Sequence, residues 1–208
     1  WGDLLIASRS LMREVINTTK ASPEEKMVIL DLVVTYCATL KAKLRHGPVP
    51  VSRALDYQHL TTPCNALLQN IGQWLYLHRP NEFVYRNFND YLNQMSTIQG
   101  GCERISNTPI PYAYSLLLHR TVGIFCAVYP LLLIHDFGFM TLLFSIFTTY
   151  ALLALDAIAT ELEDPFGTED NDLPLNAICN AIEIDLKEMV KDSLVPTKMT
   201  PDANFRLL

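Results

Sequence analysis

Residues 121–155 read TVGIFCAVYPLLLIHDFGFMTLLFSIFTTYALLAL, an apolar stretch broken only by His135-Asp136-Phe137-Gly138. Its first arm, Thr121 to Ile134, is uncharged but too short to cross a bilayer alone, which takes roughly 20 residues. Joined to Tyr112–Leu118 it is long enough, provided that His119 and Arg120 face protein or water. The second arm, Phe139 to Leu155, continues through Ala157–Ala159 around the lone acid Asp156. The reading is two tightly connected membrane spans, at residues 112–134 and 139–159. A buried hairpin at the centre of a soluble helical protein is the alternative.

Upstream, apolar residues recur at helical spacing. Leu4, Leu5, Leu11, Val15 and Ile16 form one stripe over 4–19. Ser22-Pro23-Glu24-Glu25 combines an N-cap serine, proline at the first helical position and glutamate three residues after the cap. A second helix is therefore expected from there to Gly47-Pro48, with Lys41, Lys43, Arg45 and His46 at its negative C-terminal end. Thr62-Pro63 and Pro80-Asn81 open two more, the first reaching about Leu77 and the second running toward Ile105. No alternating strand pattern of useful length occurs, so the fold class is all-α.

Composition agrees with a membrane protein. Half of the residues are hydrophobic and only 18% are charged. The formal net charge of −6, without any Lys/Arg run, argues against nucleic acid as a partner. Five cysteines, an odd number with no CxxC pair, read as reduced core or membrane residues.

The densest chemistry follows the second span. Asp156 to Asp172 carries seven carboxylates in 17 residues, a density that costs free energy without a counter-charge. Oxygen ligands of this kind suit Ca²⁺ or another divalent cation, and Pro165-Phe166-Gly167 would fold the two acidic halves together. EF-hand spacing is absent. The competing reading is a solvated loop whose Asp172 caps a helix starting at Leu173-Pro174. His119-Arg120 reads as an interfacial pair. No nucleophile elbow, Gly-rich phosphate loop or zinc motif occurs.

Three passages resemble the bestrophin family of ion channels, in particular its bacterial branch: CERISNTPIPYAY at 102–114, LHRT at 118–121, and Leu155-Asp156-Ala157 through ELEDPFG at 161–167, extended by NDLPLN at 171–176 with Cys179-Asn180. The resemblance implies an integral membrane helical bundle with a large cytosolic helical region, assembled as a homo-pentamer around one axial pore. It places residues 3–106 and 160–208 mainly in the cytosol, with both termini there, and makes 1–208 a single channel domain. Family members begin with another span and a pore-lining neck helix, and Trp1-Gly2 resembles the point just after it. In animal members the acid turn clasps Ca²⁺. The matching positions here are Glu161, Asp164, Glu169 and Asp172, with acids where animal members tend to carry amides and Glu169 in place of an aspartate. A second constriction near the cytosolic exit maps to Ile105, whose alternative role is that of an ordinary core isoleucine.

The resulting expectation is a multi-pass channel in the bacterial inner membrane, in contact with the lipid bilayer and passing small monovalent ions. The acidic composition tilts it toward cations, because a negative vestibule concentrates them; animal and plant relatives conduct chloride. The alternatives are a Mg²⁺-dependent lipid-modifying membrane enzyme using Asp156, Glu161 and Asp164, and a soluble helical interaction module.

Overall fold

The computed structural model describes residues 1–52, 56–108, 111–203 and 207. Seven α-helices and no strands are present among them: α1 Gly2–Thr18, α2 Pro23–Leu44, α3 Pro63–His78, α4 Glu82–Asn107, α5 Tyr112–Phe137, α6 Met140–Glu161 and α7 Leu175–Val190. They form two compact units, one from Trp1–Ser106 together with Pro174 onward, the other from Asn107–Leu173.

The first unit is a bundle organised on α2. Its start is the expected capping box: the Ser22 hydroxyl accepts from the Glu25 N–H at 3.2 Å, and the Ser22 N–H donates to the Glu25 carboxylate at 2.7 Å. Two donors that the helix geometry leaves without partners are thereby satisfied. Ile29, Leu30, Leu32, Val33, Tyr36, Cys37 and Leu40 are all buried, which occupies more than one face of the helix. α3 and α7 pack against α2, and α1 packs against α7 and α2. α1 presents Leu4, Ala7, Leu11, Met12 and Val15 at three- and four-residue intervals. Each fully buried Leu or Met in this core contributes about 1.5–3 kcal/mol relative to exposure.

The second unit is a helical hairpin. At about 1.5 Å per residue, α5 and α6 are each about 30–40 Å long, enough for a hydrocarbon core of about 30 Å. Both meet the length and composition of a membrane span, over Leu116–Phe137 and Met140–Glu161. Gly138 makes the reversal with φ of +52°, a conformation that side-chain-bearing residues rarely adopt. The side chains buried on α6 are the small Thr141 and Ser145, while Leu131, Phe139, Leu143 and Phe147 point outward. Small residues inside and large apolar ones outside is the arrangement lipid favours, because lipid solvates leucine well and rewards close helix approach. Thr141 Oγ1 donates to the Leu133 carbonyl at 3.0 Å across the hairpin.

Sequence expectation and structure differ at the tail helix. It begins at Leu175 after Pro174, two residues later than expected, and Asp172 does not cap it. Asp172 instead accepts the Glu169 N–H at 2.6 Å and so caps the preceding turn.

Candidate functional site

The α4 C-terminal turn carries Ile105. Phe88, Met95, Gln99 and Cys102 form the buried stripe of α4, and Ile105 lies off it, 53% exposed. Ile105 is thus not a core residue of this chain but an apolar group presented outward at the end of a helix. On another face of the same turn, the Glu103 carboxylate accepts from Lys43 Nζ and from Gln99 Nε2, each at 2.8 Å. Gln99 Nε2 also donates to Asn65 Oδ1 at 2.8 Å, and the Tyr36 hydroxyl donates to the Met95 carbonyl at 3.1 Å and to Gln99 Oε1 at 3.3 Å. Partial burial raises the Glu103 pKa, but the hydrogen bonds from Lys43 and Gln99 outweigh it, and the group is held below the ordinary glutamate range. In the same bundle, burial pushes the Cys64 and Cys179 thiols up to about 11, so they stay protonated at neutral pH. All five cysteines are free thiols.

The acidic segment of the second unit forms a closed turn. Asp164 Oδ1 accepts the Phe166 N–H at 3.3 Å, Asn171 Nδ2 donates to the Glu161 carboxylate, and the Leu173 N–H donates to the Pro165 carbonyl at 3.0 Å. Phe166, only 2% exposed, anchors the turn by its ring. A Cβ at Gly167 would meet the Asp172 carboxylate at 2.5 Å, so a larger residue there would displace that side chain. With His119 and Asp156, the residues Glu161, Asp164, Glu169 and Asp172 line one cavity of about 780 Å³. His119 Nε2 lies 3.4 Å from Asp156 Oδ2, which ties α5 to α6.

The cavity collects the four residues expected at a calcium clasp, and three of them also hold the turn together. Glu161, Asp164 and Asp172 spend carboxylate oxygens on hydrogen bonds within the turn. Among the described residues no three His, Cys, Asp or Glu side chains converge as metal ligands, whereas Ca²⁺ needs 6–8 oxygens at 2.3–2.6 Å.

Sequence reasoning did not find two pairings. Lys43–Glu103 joins residues 60 positions apart. His119–Asp156 joins the histidine read as interfacial to the lone acid of the second apolar arm. An acid inside an apolar span was itself the signal that a partner must exist.

Comparison with known proteins places the chain. Residues 1–188 match the family model described as bacterial/fungal bestrophin protein. The voltage-dependent anion channel-forming protein YneE of Escherichia coli is 43% identical over 220 residues, covering 100% of this chain and 72% of that protein. The voltage-dependent anion channel-forming protein mll4386 of Mesorhizobium japonicum is 34% identical, covering 99% and 69%. The crystal structure of a bacterial bestrophin homolog from Klebsiella pneumoniae superposes with a TM-score of 0.86 at 35% identity, covering 93% of this chain and 77% of that one. The lipid-enzyme alternative has no counterpart among these relatives. With its helical fold, its exposed apolar hairpin and a family match over nearly its whole length, this membrane protein belongs to the bacterial/fungal bestrophin family.

Proposed function

We propose that the chain is a subunit of a homo-pentameric channel that lets small monovalent ions cross the bacterial inner membrane passively. The observation that carries this reading is the similarity, over the full chain, to relatives named as channel-forming proteins. In it the protein is multi-pass, α5 and α6 cross the bilayer, both termini are cytosolic, and residues 3–106 and 160–208 are mainly cytosolic. Five copies of Ile105, each displayed at the end of α4, form an apolar ring that constricts the pore sterically and by dewetting. The acid turn closes the chain's exit from α6 and stands as a structural junction, its carboxylates engaged with its own backbone and Asn171.

Two features bear on charge selectivity in opposite senses. The excess of 22 acids over 16 basic residues favours cations, while the relatives' names are those of anion channels. Reversal potentials of the full-length protein in planar bilayers under a KCl gradient read the sign directly, and repeating them with Ile105→Ala tests the ring. Conduction is expected, with Ile105→Ala admitting larger ions. A protein that passes no current removes the channel reading, and an unchanged size limit in Ile105→Ala removes the ring.

A further inference from the structure

We infer that Glu103, clamped between Lys43 and Gln99, is the positioning residue that sets the diameter of the Ile105 ring. The inference rests on the constriction reading above and deepens it.

The residue two positions before Ile105 is turned about 200° from it around the helix axis, at 100° per residue. Glu103 and Ile105 therefore occupy nearly opposite faces of one turn. A bond that ties Glu103 to the bundle determines how far Ile105 projects on the other side. Hydrogen bonds to α2 and α3 join this helix to the bundle along its length. Met95 and Gln99, two turns and one turn before Glu103, are held through the Tyr36 hydroxyl on α2 and Asn65 on α3. One turn further on, next to Ile105, Glu103 is held by Lys43 at 2.8 Å.

The attachment has the chemistry of a stiff one. Glu103 and Lys43 are 28% and 35% exposed in their side chains, so water competes for them only in part. One carboxylate oxygen takes both the ammonium and the Gln99 amide, and Gln99 sits one helical turn behind on the same face. Losing the charge at 103 leaves Lys43 facing a neutral group and removes the stronger, charge-assisted half of the clamp. The final turn of α4 is then held less firmly, and a ring built from five such turns loses its fixed bore.

The test is a permeability cut-off series in planar bilayers with the full-length protein, using bi-ionic reversal potentials for ions of increasing size. The variants are Glu103→Gln, Ile105→Ala, their double mutant, and the charge exchange Lys43→Glu with Glu103→Lys. If Glu103 acts through Ile105, Glu103→Gln raises the permeability ratio of large to small ions severalfold, the double mutant matches Ile105→Ala, and the exchange restores the wild-type ratio. An Ile105→Ala effect with an unchanged ratio in Glu103→Gln, or with additive effects in the double mutant, overturns the positioning role and leaves the ring intact. No Ile105→Ala effect overturns the ring and this inference with it. The exchange also guards against misfolding, since a variant that merely disrupts the bundle would not be rescued by reversing both charges.

Discussion

At the scale of single residues, polar groups in this chain are placed by charge and burial together. Glu103 is ionised below the usual range because Lys43 and Gln99 stabilise its anion more than partial burial penalises it. The sign of the pH dependence follows. A carboxylate whose folded pKa is depressed contributes stability that is present above its unfolded pKa and is lost as pH falls through its folded one. Acid titration of the detergent-solubilised protein, followed by circular dichroism, should therefore show Glu103→Gln lowering stability at neutral pH and the gap to wild type closing below about pH 4.5, the ordinary value for the group. A gap that widens in acid would contradict the pairing. Ile105 lies off the buried stripe of α4 and is exposed, the position that the proposed constriction requires.

At the scale of elements, the helix starts are written locally. The Ser22-Pro23-Glu24-Glu25 run fixes the beginning of α2, and the structure closes both reciprocal hydrogen bonds. Ser22→Ala removes one of them at about 1 kcal/mol, which for a protein of this size lowers the thermal midpoint by about 2–4 °C. A differential scan of the solubilised variant that shows no drop would mean that α2 is held by packing alone. The membrane hairpin was readable for the same reason of locality, since a long uncharged run is a property of consecutive residues. The tail helix was misjudged by two residues because Asp172 accepts the Glu169 N–H within the acidic turn and does not cap the helix.

At the scale of the whole molecule, the proposed channel needs five-fold assembly to turn one outward isoleucine into a constriction. Native mass spectrometry of the full-length protein released from mild detergent should return the mass of five subunits; a dimer or monomer as the dominant species would sink the pore geometry proposed for Ile105. Five copies also explain why pore chemistry is faint in one chain. A ring needs only one unremarkable residue per subunit, whereas an enzyme site must gather its groups within a single copy.

The sequence by itself determined the all-helical class, the two long apolar helices, the helix starts, the acid turn and, through its motifs, the family, because each depends on residues within a few turns of one another. Only the tertiary structure decided which polar groups meet. Lys43 reaches Glu103 across 60 residues, Arg9 binds Asp185 across 176, and His119 on one span meets Asp156 on the next. The spacing of charges along a chain carries no record of such distant pairings, which arise when the apolar faces pack and bring the helices side by side. The same packing turned the acidic segment inward on its own backbone and left Ile105 facing out.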